Sequence, residues 1–147
     1  MKKNEKKIFL LLSVLSLLMG GLIYIFFRTS TLKMFTWLDK LGLSETLRGT
    51  RDITLQYSNE LPKWLVYSLP DGLWIFSYVC LMLYIWADTA IKKSLTWILV
   101  VPIIAILSEL GQAANLVSGT FDIIDLLFYI IFSIIPFLLH NFLTKKN

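Results

Sequence analysis

Four apolar runs, each long enough to cross a bilayer, constrain this chain more than anything else in it. A run of about 18 or more nearly uncharged apolar residues reads as a transmembrane helix. Such runs cover residues 8–27, 69–88, 95–114 and 122–142. Backbone inside hydrocarbon must satisfy its own hydrogen bonds, so each span is expected to be helical. The expected fold class is all-α, a polytopic membrane protein with four transmembrane helices. A chain of 147 residues that is 56% hydrophobic and only 16% charged is too apolar for a soluble domain and fits a single membrane domain over 1–147.

The first span, from Ile8 to Phe27, follows Lys2, Lys3, Lys6 and Lys7. A cleavable signal peptide has a shorter apolar core, about 7–15 residues, and an A-x-A-like site after it. Arg28-Thr29-Ser30 offers no such site, so a retained anchor is expected. Gly20-Gly21 admits close helix contact, though glycines facing lipid read the same way. The single Cys80 lies within an apolar run and cannot form an internal disulfide.

The outer loop, residues 28–68, is the only long hydrophilic stretch, yet it is rich in Leu, Trp and Tyr. Leu32, Phe35, Leu38 and Leu41 repeat at near-helical spacing. Ser30 or Thr31 is positioned to cap that helix and Gly42 to end it. Ser44 can cap a second short helix toward Leu47, with Gly49 as a weak point. Leu61-Pro62-Lys63-Trp64 suits a further helical start, with proline in its first turn. Short interfacial helices are expected here, with Trp37, Tyr57, Trp64, Tyr67 and Trp74 as an aromatic belt. The loop either anchors at the surface or forms a lid. Ser68-Leu69-Pro70-Asp71 matches a capping box before the second span. Pro102 is expected to kink the third span. Asn115, Ser118 and Gly119 mark a turn between the third and fourth.

Four spans put both termini on one side. That side carries eight Lys against Glu5 and Asp88, a net +6, and the other side is net −2, matching the overall +4. Lys and Arg near short loops mark the cytoplasmic face, so both termini are expected in the cytoplasm. The same distribution explains the positive charge without nucleic acid.

The outward ends of the spans then hold the unusual residues. Glu109 and Gln112, three apart, share a helix face near the end of the third span. Asp122 and Asp125 are also three apart and open the fourth. Asp71 opens the second at the same level, and Thr120 precedes Asp122. Ionisable groups at the edge of hydrocarbon are costly and mark a functional site by default. The expected ligand-binding site is an outward polar bowl of Asp71, Glu109, Gln112, Thr120, Asp122 and Asp125, roofed by the loop. Plainer roles exist for each. Asp71 completes the capping box, Thr120 caps the fourth helix with Asp122 on its dipole, and Glu109 bonds Gln112, Thr120 or a loop Arg. Carboxylates and a carboxamide suit Ca²⁺ or Mg²⁺, but no D-x-D-x-D-G loop and no Cys/His pair is present, so no metal and no cofactor are expected. His140 lies at the far end of its helix from the carboxylates, which removes a Ser/His/Asp triad.

Glu109-x-x-Gln112 followed by Gly119-Thr120-x-Asp122-x-x-Asp125 resembles the signature of VanZ-like membrane proteins. The resemblance covers the last third well and the rest in plan. It implies a place in the bacterial cell (inner) membrane and a cell-envelope role, linked in that family to teicoplanin-type glycopeptide resistance, and no settled reaction. Thr120 stands where the common form has Arg, and Tyr129 where an Asn often follows. Loss of that Arg leaves the bowl more acidic unless Arg48 or Arg51 folds over it.

Three function classes follow. The leading one binds a polar or cationic headgroup, of an envelope lipid or a cell-wall precursor, through carboxylate acceptors. The second is an enzyme on a lipid-linked sugar with Glu109 as general base near Asp125. The third is a small assembly subunit of a membrane-protein complex. The lipid bilayer is a partner in all three.

Overall fold

A computed structural model describes residues 3–29, 33–58, 60–89 and 91–145. Seven helices form among them: α1 (Lys3–Phe27), α2 (Lys33–Lys40), α3 (Ser44–Tyr57), α4 (Lys63–Val66), α5 (Ser68–Ile85), α6 (Ile91–Ala113) and α7 (Ile123–Lys145). Four of them, α1, α5, α6 and α7, are long and apolar enough to cross a membrane. The chain is an all-α, multi-pass membrane protein, as the four runs predict.

The span edges move for physical reasons. Expected bounds of 8–27 and 95–114 become Lys3–Phe27 and Ile91–Ala113, because the flanking lysine segments continue the helices into the polar region. The second span closes at Ile85 rather than 88, and the fourth starts at Ile123 and runs to Lys145. Both α6 and α7 continue through their prolines, and Pro102 and Pro136 are fully buried.

α5 is the centre of the bundle. It packs most extensively against α1 on one side and α7 on the other, and more lightly against α6. Small residues explain the α1–α5 seam. Buried Ser13 and Ser16 lie one turn apart on α1, with Gly20 a turn further. Ser77 Oγ on α5 donates to the Ser13 carbonyl at 2.8 Å, and the two serine hydroxyls lie 3.2 Å apart. A Cβ at Gly20 would stand 2.7 Å from Trp74 Nε1 and 3.0 Å from the Pro70 carbonyl, whereas one at Gly21 would meet nothing. Small residues let two backbones approach, and a hydroxyl in hydrocarbon bonds across the gap. Gly72 does the same toward α7, where a Cβ would press on Phe128 and Phe132. The core is Phe9, Ile75, Val79, Cys80, Leu83 and Ile98. Lys6 pairs with Asp88 at the end where the chain starts, which holds the α5–α6 turn beside the start of α1. The Lys6 ammonium keeps the exposed Asp88 carboxyl below its usual range.

The segment between the first and second spans departs most from expectation. α2 ends at Gly42 as anticipated: Gly42 has φ +70, with its N–H bonded to Asp39 and that of Leu43 to Leu38, a Schellman cap. The Ser30/Thr31 cap and Leu32 lie outside the described residues. Ser44 does not cap α3 through its side chain, and α3 runs through Gly49 for 14 residues instead of stopping near Leu47. Tertiary bonds hold it: Arg51 donates to the Ile25 and Arg28 carbonyls, and Thr54 Oγ1 to Phe26 at 2.7 Å. These are carbonyls at the C-terminus of α1, which lack helical partners and carry the negative end of the dipole. Arg51 therefore caps α1 from outside the helix. It is buried against the Phe35 ring, and that burial holds its guanidinium below its ordinary range, with Asp52 pulling the other way.

Pro62 is the residue before α4 rather than part of its first turn. The capping box at Ser68 does not form. Tyr67, between α4 and α5, has helical dihedrals of φ −105 and ψ −53, so the chain is nearly continuous there and Ser68 lies inside it, buried.

Candidate functional site

The carboxylates come together at the end of the bundle away from both termini, where α5 and α7 start and α6 ends. α6 closes with a second Schellman cap: Asn115 has φ 56, its N–H bonds Gln112, and the N–H of Leu116 bonds Gly111 at 2.8 Å. The chain then folds back along the helix end. Gly119, at φ +143, lies so close to Gln112 that a Cβ there would be 2.7 Å from the amide carbon and oxygen. Gln112 thus supports the returning loop and does not project into open space.

Beyond Gly119 the chain passes Glu109. The Asp122 backbone N–H donates to Glu109 Oε2 at 3.3 Å, and Glu109 is only 5% exposed. Asp122 Oδ1 accepts from the N–H of Ile124 at 2.8 Å, so Asp122 is the side-chain cap of α7. Thr120, expected either in the bowl or as that cap, is exposed and outside the helix. It lies too early in the chain to reach the first free N–H groups. Glu109 bonds none of its anticipated partners, Gln112, Thr120 or a loop Arg; the backbone of Asp122 takes that place.

Asp125 lies one turn deeper, and its Oδ1 is buried with no hydrogen-bond partner. Asp71 on α5 lies within electrostatic reach of Asp125, Glu109 and Arg28. Asp122 and Asp125 both act on Glu109. Tyr129, one turn below Asp125, shares the field of Asp71, Asp125, Glu109 and Arg28. Asp71, Glu109, Asp122 and Asp125 thus converge, while Gln112 borders them and Thr120 stays outside. Among the described residues no three His, Cys, Asp or Glu side chains are arranged to hold a metal ion.

The cation at this site is Arg28, not the expected Arg48 or Arg51. Arg51 is turned toward the end of α1. Arg28 ends the first span and lies over two aromatic rings, Tyr24 at 5.0 Å and Tyr67 at 4.7 Å. Its Nε is buried without a partner, and no carboxylate among the described residues pairs with it within 4 Å. The i, i+4 spacing of Tyr24 and Arg28 at the mouth of a span was the available signal.

A groove of about 300 Å³ runs beside the cluster, lined by Asp71, Trp74, Ile75, Val101, Ala105 and Tyr129. The loop does not roof it as a whole. α3 docks on α1 and α2 docks on α3, whereas α4 touches α1, runs into α5 and brings Trp64 to 6.1 Å from the Phe128 ring of α7. A cleft of about 430 Å³ between α2 and α3 shares no residue with the cluster.

No protein-family model matches this chain, and neither a curated protein nor a solved structure matches it.

Proposed function

We propose that the chain is a VanZ-like protein of the bacterial cell membrane that binds a polar or cationic headgroup, of an envelope lipid or a cell-wall precursor, at the outer ends of its spans. Both termini lie in the cytoplasm in this reading, and the cluster faces outward. The observation that carries it is Asp125 Oδ1, a buried acceptor with no donor, beside Asp71 and Glu109. An unsatisfied buried acceptor costs about 1–3 kcal/mol, more when charged. A ligand N–H or O–H placed there would recover that cost. A structural role alone leaves the cost in place, whereas Glu109 and Asp122 are already bonded within the fold.

The test is ligand-observed NMR on detergent-purified protein with ethanolamine as the probe. Wild type should give a saturable signal, and Asp125→Asn should weaken it. Equal signals from wild type and Asp125→Asn would end the binding proposal. In cells, growth inhibition by teicoplanin should shift with wild-type expression and return with Asp125→Asn.

A further inference from the structure

We infer that the groove beneath the cluster holds one zwitterionic glycerophospholipid of the outer leaflet, bearing a phosphate diester and a primary ammonium, which reaches its place sideways from the bilayer. This rests on the headgroup reading above and adds the ligand class and the route.

Two buried atoms at the cluster lack partners, and their demands are opposite. Asp125 Oδ1 requires a donor and Arg28 Nε requires an acceptor. Asp71 lies within electrostatic reach of both Arg28 and Asp125. A purely cationic ligand leaves Arg28 unmatched, and a purely anionic one faces four carboxylates. A phosphate next to an ammonium matches both. Guanidinium suits phosphate geometry, and the Tyr24 and Tyr67 rings lie against it. Trp74 and Tyr129 line the groove, and aromatic rings attract an ammonium.

The groove itself identifies the rest of the ligand. Below Asp71 its wall is Ile75 of α5 with Val101 and Ala105 of α6. Val101 lies 12 residues before the end of α6, which at the helical rise is about 18 Å below that end and well inside a ~30 Å hydrocarbon layer. α1 and α6 flank α5 without packing extensively on each other, so this wall opens laterally. Val101 is 37% exposed on it. A water-soluble headgroup has no use for an apolar trough at that depth, and an acyl chain does.

Native mass spectrometry of the full chain, with phosphatidylethanolamine and phosphatidylglycerol as competing probes, tests this. Wild type should retain one phosphatidylethanolamine with roughly tenfold preference, the worth of one charge-assisted hydrogen bond. Asp71→Asn should erase the preference, Arg28→Gln should weaken both lipids, and Val101→Trp should expel both by filling the trough. Circular dichroism and thermal unfolding would identify a variant that fails to fold, and Val101→Trp, at an exposed site, is the variant least prone to do so. No preference in wild type, or full retention by folded Val101→Trp, overturns the lipid inference. The wild-type ethanolamine signal decides the headgroup reading separately.

Discussion

The backbone N–H of Asp122 donates to Glu109 Oε2 across 3.3 Å and so ties the last turns of α6 to the start of α7. Asp122 in turn caps α7 with its own carboxylate. One buried acid thereby fixes the position of the next, which fixes the first turn carrying Asp125. The two Schellman-type bonds around Asn115 and the glycine at 119 set the path between them.

Removal of the Glu109 acceptor should therefore destabilise the hairpin. Glu109→Ala leaves the Asp122 N–H without its partner and should lower stability by about 1–3 kcal/mol. Glu109→Gln keeps a carbonyl acceptor in place and should cost clearly less. Thermal unfolding in detergent, followed by circular dichroism, orders the two.

Asp122→Ala should cost about 0.5–2 kcal/mol as a lost N-cap, and Asp122→Asn close to nothing. Thr120→Ala should be silent, because Thr120 neither caps nor is buried. Hydrogen exchange at Ile124 and its neighbours reports the cap directly. A larger effect at Thr120 than at Asp122 would refute the assignment.

Gly20 and Gly21 separate a packed face from an open one within two residues. Gly20→Val places atoms against Trp74 and the Pro70 backbone and should cost about 1–3 kcal/mol by overpacking. Gly21→Val meets nothing and should leave the unfolding temperature unchanged. Comparison of the two in one detergent cancels any general effect of the added side chain on helix propensity.

Arg51 holds α3 to the end of α1. Arg51→Ala should leave the four spans intact while the loop loosens, since each hydrogen bond from a charged donor is worth about 1.5–3 kcal/mol. Faster amide exchange across α2 and α3, with unchanged exchange in α5, is the expected pattern. Thr54→Ala should show the same pattern more weakly. Uniform acceleration in every helix would mean that Arg51 supports the bundle itself.

Four helical spans could be read directly from four apolar runs, because hydrocarbon admits no other backbone solution for such lengths. The grouping of Asp71, Glu109, Asp122 and Asp125 was legible too, since a short turn between two antiparallel spans leaves their ends together. Gly42 and the turn at Asn115 declared themselves through left-handed backbone. What the residues alone left open was decided by contacts between elements distant in the chain. Arg28 and Arg51 are both arginines near the same end of the bundle, yet one lies over Tyr24 and Tyr67 beside the carboxylates and the other caps α1. Ser68 reads as a cap until α4 runs into α5 and removes the helix end it would serve. Local pattern specifies a helix because its hydrogen bonds close within a few residues; a side chain's partner is specified only when the bundle determines which distant backbone or charge comes within reach.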